Sequence, residues 1–178
     1  MRKIILSAIF IMATVIGTNA QDYNWFIGGK AGFHNGKKND TRTTVYTIAP
    51  EVGFRFSENF ALATYFEYRH SNQKQSGKKV TSNEIVLAPY LRYTFLKSGI
   101  INVFVDGTAA FGLSDLKGFE AGIRPGIAMN VTKRLSLVAN LGFIGYNNGK
   151  GVGRSDYGKG LKIDLSGYQS TVGLYLSI

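Results

Sequence analysis

Between Tyr46 and Phe56 the chain alternates without a slip, with Tyr46, Ile48, Pro50, Val52, Phe54 and Phe56 on one parity and Thr47, Ala49, Glu51, Gly53 and Arg55 on the other. The same period of two returns over 60–68, 85–95, 101–111, 119–131 and 135–143. Successive side chains of a strand point to opposite faces, so each run reads as a strand with one apolar face and one face mixing glycine, alanine and charge. A first strand near 23–33 and a last near 164–178 bring the number to eight. The only prolines, Pro50, Pro89 and Pro125, each stand six residues before the end of a run (PEVGFRF, PYLRYTF, PGIAMNV), and a short turn follows. The elements are therefore β-hairpins of nearly equal length.

An even number of antiparallel strands can close on itself, which predicts an all-β, eight-stranded, antiparallel up-and-down barrel. Which face looks outward follows from what each face can pack against. The polar parity is small as well as charged: Gly53, Ala61, Ala63, Ala110, Gly122, Gly126 and Gly142 are interleaved with Glu51, Arg55, Glu67, Arg69, Arg92, Asp106 and Arg124. Small residues with paired opposite charges suit a narrow, filled lumen, and those seven charges are the expected lumen network. The apolar parity then faces lipid, making the barrel a transmembrane one. Ten steps from 46 to 56 at ~3.3 Å, tilted by about 40°, rise roughly 25 Å, the height of the apolar band in such barrels. Aromatic residues of the apolar parity bracket that band. Trp25, Phe54, Phe56, Phe60, Tyr93 and Phe95 lie near the short turns, and Phe33, Tyr46, Phe66, Tyr68, Phe111, Phe119, Phe143 and Tyr168 toward the other end, as interfacial girdles require. The prolines fall on the lipid-facing parity, where a missing N–H leaves a neighbouring carbonyl unpaired, so a bulge or widened spacing is expected at each.

The N-terminus reads as an export signal. Arg2 and Lys3 precede an apolar stretch, Ile4 to Ile16, and the small residues Gly17-Thr18-Asn19-Ala20, with cleavage expected before Gln21. Thirteen residues rise only about 20 Å as a helix, short of the ~30 Å hydrocarbon core. The mature domain is then 21–178, in the outer membrane of a Gram-negative cell envelope. The chain has no cysteine, so disulfides contribute nothing to its stability. Of 21 basic residues, removing Arg2 and Lys3 leaves 19 against 11 acidic, a net charge of +8. The longer connections, 34–43, 70–83, 113–118 and 147–163, are expected outside the cell, and the short turns 57–59, 96–99 and 132–134 at the periplasmic side. The long connections hold Lys37, Lys38, Arg42, Lys74, Lys78, Lys79, Lys117, Lys150, Arg154, Lys159 and Lys162 against Asp40, Asp115 and Asp156, eleven minus three, again +8. Lysine is a mobile point charge, suited to holding loops among the phosphates of lipopolysaccharide.

The whole chain resembles the small eight-stranded outer-membrane β-barrel proteins, OmpX-like or OmpA-like, of the Bacteroidetes type. The resemblance is carried by the export signal, by the repeated Pro-x-apolar-x-apolar run before a tight turn, as in PEVGFRFSENFAL, and by the chain end. Thr171, Gly173, Leu176 and Ile178 fit the terminal pattern that such proteins present to the barrel-assembly machinery, although Ile178 stands where an aromatic is usual. Catalysis has little to work with. His34 and His70 are the only histidines, and His70 and Ser71, being neighbours on a strand, point to opposite faces. Gly149-Lys150-Gly151-Val152-Gly153 lacks the strand-loop-helix context of a phosphate cradle. No cofactor, metal or nucleic-acid partner is expected. The expectation is a non-enzymatic barrel whose basic loops contact lipopolysaccharide or a surface partner; the alternative is a small pore, against which the lumen charges argue.

Overall fold

The computed structural model describes residues 24–38, 41–75, 78–113, 118–148, 159–165 and 170–178. The export segment 1–20 lies outside the described residues, as do Asp40, Asp115, Lys117, Tyr168 and the 149–158 stretch with Lys150 and Arg154. Six unbroken strands come first: β1 (Trp25–Lys38), β2 (Thr41–Arg55), β3 (Phe60–Gln75), β4 (Lys78–Ser98), β5 (Ile101–Gly112) and β6 (Phe119–Asn130). Two staves in two pieces follow, β7 (Leu135–Asn140) with β8 (Phe143–Asn147), then β9 (Gly160–Asp164) with β10 (Thr171–Ser177). From β1 to β6 each strand pairs antiparallel with the next; β6 then pairs both β7 and β8, β8 pairs β9, β7 pairs β10, and β10 pairs β1, Ile27 opposite Leu176. The result is a closed eight-stave, up-and-down barrel, its ring completed by the β5–β6 and β1–β10 pairings.

The alternation decides what faces where. Ile48, Val52, Leu62, Leu91, Ile123, Ile127 and Leu174 are exposed on the outside, while Ala49, Ala63, Ala88, Ala110 and the charged residues of the other parity are buried within. Two aromatic rings bound the outer apolar surface. At the short-turn end Trp25 packs on Phe54 (5.0 Å between centroids), and Phe60 on Tyr93 (4.9 Å) and Phe56 (6.0 Å). At the other end Phe33 packs on Tyr46 (5.2 Å) and Phe111 on Phe119 (5.3 Å). Phe143 corrects the expected second ring: its side chain is fully buried inside, while Ile144 and Tyr146 face outward. The parity flips because Leu141 and Gly142 interrupt the stave, Gly142 at φ +81°.

The prolines explain that interruption in part. Pro50 and Pro89 pair normally with the preceding strand, opposite Gly29 and Thr64, but toward the following strand the ladder skips them without a register shift. One missing N–H is enough to remove those pairs. A bulge is thus absent at these two prolines. It occurs at Pro125, on the facing strand, where the register moves by one between Ile123 opposite Ile144 and Gly126 opposite Asn140, and Leu141 N donates to Pro125 O at 2.8 Å. A further irregularity lies between Thr94 and Leu96, and β4 runs on to Ser98, so the turn expected at 96–99 closes at Gly99 and Ile100.

Two short turns share one chemistry: Ser57 Oγ accepts from Asn59 and Phe60 N–H, and Thr132 Oγ1 from Arg134 and Leu135 N–H. At the opposite end the expected loops 34–43 and 70–83 are largely strand. β1 pairs β2 as far as Lys38 opposite Thr41, and β3 pairs β4 as far as Gln75 opposite Lys78. Their threonines and Val45 and Val80 favour extended backbone, so polarity here marks the end of the apolar belt and not of the strands. A four-stranded sheet therefore stands beyond the second aromatic ring.

Candidate functional site

The interior is built from aromatic rings laid over glycines, on an adjacent stave at Gly28, Gly53, Gly122 and Gly126 and on the ring's own stave at Gly145. A Cβ at Gly53 would overlap the Phe26 ring, at Gly28 the Tyr175 ring, at Gly126 the Phe104 ring, and at Gly122 or Gly145 the Phe143 ring. The absence of a side chain at these positions is what lets large rings fit within an eight-stave ring. Each ring then carries a cation on its inner face. Arg55 lies 5.0 Å from the Phe26 centroid, Arg92 3.7 Å from Phe104 and Arg124 5.2 Å from Phe143. Lys30 sits among Tyr65, Tyr90 and Tyr175 at 4.9, 5.1 and 6.0 Å. Cation–π attraction of this kind strengthens when water is excluded.

Carboxylates complete the network. Arg92 forks onto Asp106 at 2.7 and 2.9 Å, and Asn140 donates to the same carboxylate at 3.1 Å. Lys30 pairs with Glu51 at 2.8 Å, and the Tyr90 hydroxyl donates to Glu51 as well. Farther from the short turns Arg69 contacts Glu67 (2.5 Å) and Glu84 (3.8 Å), and Arg124 bonds Glu120 (2.8 Å). All seven lumen charges expected from the alternation, Glu51, Arg55, Glu67, Arg69, Arg92, Asp106 and Arg124, point inward. Lys30, Glu84 and Glu120 join them, each on the inward parity of its strand. Lys162 is a correction. Expected on an outer loop, it lies in β9 with its side chain turned inward, 3.6 Å from Asp164. The alternation of Leu161 and Ile163 with Lys162 and Asp164 carried that signal.

Two spaces open into the barrel. At the short-turn end a cup of about 650 Å³ is walled by Arg55, Ser57, Asn102 and Lys133 and ends on Arg92 and Tyr175. Arg55 bonds Ser177 Oγ at 3.0 Å at its side. At the other end a space of about 10 Å³ between His34, Thr47, Arg69 and Arg124 is the size of one water.

The outer face of the projecting sheet is polar. Tyr68 donates its hydroxyl to Asn83 Oδ1 (3.2 Å), His70 Nδ1 approaches the same oxygen (2.6 Å), Asn72 Nδ2 meets His70 Nε2 (2.9 Å), and Thr81 donates to Asn72 Oδ1 (2.9 Å). Since Asn83 Oδ1 can only accept, the proton of neutral His70 belongs on Nδ1. His34 and His70 therefore occupy opposite faces, and among the described residues no three metal-ligating side chains come together. Of the expected anion contacts, Arg42, Lys74, Lys79 and Lys159 are exposed, and Lys37, Lys38 and Lys78 are strand residues placed by their backbone pairing. In the terminal pattern, Thr171 pairs Asn140, Gly173 packs against Gly29 O, Leu176 faces outward, and Ile178 N donates to Trp25 O at 2.9 Å. The closed eight-stave ring is compatible with a small outer-membrane barrel; no protein-family model matches the chain, and no curated protein matches it either.

Proposed function

We propose that the chain is a small outer-membrane barrel of the OmpX-like or OmpA-like type, exported by residues 1–20, that acts without catalysis as an anchor for its polar sheet. The sheet contacts lipopolysaccharide or a partner at the cell surface, and the short turns face the periplasm. The observation that carries this reading is the inverted distribution of polarity: charges and tyrosines inside, and outside an apolar belt bounded by two aromatic rings. An exposed apolar surface that encircles a whole molecule calls for a lipid environment. The interior favours an anchor over a pore, because the cup at the short-turn end stops on the buried Arg92–Asp106 pair.

Placement is testable because the chain has no cysteine. On intact cells, a membrane-impermeant maleimide should label K159C, and should label K133C only after the envelope is opened. Equal labelling of both before opening contradicts the orientation, and steady conductance of the wild-type protein in planar bilayers would favour the pore.

A further inference from the structure

The register of the projecting sheet brings four cations of one sign onto a single rung. Lys37 pairs with Arg42, Arg42 with Lys74, and Lys74 with Lys79, across β1, β2, β3 and β4. Strands lie about 4.8 Å apart, so the row spans roughly 14 Å. Like charges set directly opposite one another on neighbouring strands repel, and here three such pairs follow in succession. Among the described residues of this sheet beyond the aromatic ring, 33–38, 41–46, 70–75 and 78–83, none is acidic. Asp40 lies outside the described residues. Arg42, Lys74 and Lys79 are exposed.

The position of the rung narrows what would neutralise it. It lies four residues beyond the rung that joins Phe33, Tyr46, His70 and Asn83, about 13 Å farther along the strands. Tyr46 and Ile48 on β2 continue the outer surface from the Arg42 end of the strand down into the apolar belt. A molecule with acyl chains on that belt would carry its headgroup past the tyrosines to the cations. We propose that the rung binds the phosphate groups of a phosphorylated glycolipid whose tails lie along the outer belt, Arg42 offering a fork and Lys74 and Lys79 adaptable point charges. This rests on the membrane reading above and names the ligand of the sheet.

The test uses purified full-length protein in nanodiscs, titrated with phosphorylated lipopolysaccharide, with the same lipopolysaccharide after enzymatic dephosphorylation, and with soluble polyphosphate. The variant K37Q/R42Q/K74Q/K79Q should weaken binding of the phosphorylated glycolipid at least tenfold. The control K97Q/K133Q/R134Q, three cations of the short-turn end, should leave it unchanged. The single variant K74E, which sets a carboxylate between two cations, should bind less glycolipid while melting no lower than wild type, which separates lost binding from lost fold. Unchanged affinity in the fourfold variant, or equally tight binding of the dephosphorylated lipid, overturns the proposal. Rung-dependent binding of polyphosphate without rung dependence for the glycolipid also overturns it, identifying a site for soluble polyanions. Each of these results leaves the K159C labelling intact, so failure of the ligand and failure of the membrane reading are distinct.

Discussion

Asp106 has little of its surface open to water and accepts from Arg92 twice and from Asn140 once. Its charge is tolerable only while those donors are in place. Asp106→Asn would leave the Arg92 guanidinium buried against Phe104 without a counter-charge, a loss of roughly 3–5 kcal/mol for a broken buried pair. The urea midpoint of the protein refolded in micelles should fall accordingly. The double variant R92M/D106L, which removes both charges together, should cost far less. Most of this interior was legible at the residue scale, since alternation alone puts Glu51, Glu67, Arg92, Asp106 and Arg124 on one parity. What alternation cannot supply is partner choice: that Arg92 meets Asp106 depends on the β4–β5 register, and that Arg124 meets Glu120 at 2.8 Å depends on two residues of one strand bending toward each other. Lys30 escaped for a simpler reason, because a strand rich in glycine, Gly28, Gly29 and Gly32, gives a weak alternation signal.

The break between β7 and β8 turns a uniform hairpin repeat into a particular structure. Gly142 holds φ +81°, and a Cβ there would also overlap Asp164 O. Gly142→Ala should therefore cost on the order of 1–3 kcal/mol and lower the midpoint of unfolding, with the loss concentrated in faster amide exchange over 143–147. The sequence holds a trace of this flip. Apolar residues occupy odd positions through Leu135, Leu137, Ala139 and Leu141, then even ones at Ile144 and Tyr146. Reading Phe143 as a continuation of the first series placed it on the wrong face. Strand lengths were hidden for a different reason: hydrophobic alternation reports where a strand is half buried, and beyond Tyr46 and Tyr68 both faces of the sheet are mostly polar, Val45 and Val80 being isolated. Backbone pairing needs no apolar residue, and Thr43, Thr44 and Thr81 sustain it.

Across the whole molecule, the number of staves, their order and the choice of inner face could be read from parity, because a closed ring with one apolar side admits few arrangements. The same closure makes spatial order independent of covalent order. Trp25 N lies 3.3 Å from Ile178 O and Ile178 N 2.9 Å from Trp25 O, so the two ends of the wall already touch. A circular permutant that joins them through a short glycine-serine linker and opens the chain in the turn 57–59 should refold in micelles with a urea midpoint near that of the wild type. A large fall in that midpoint would mean that the seam is strained. In cells the outcome should differ. The permutant keeps Thr171, Gly173, Leu176 and Ile178 within the wall but removes them from the end of the chain, so if they serve as an address read at a free terminus, the protein should fold in the test tube and yet fail to reach the membrane. Two uses of one strand, as the last plank of a wall and as a label on its loose end, would then come apart.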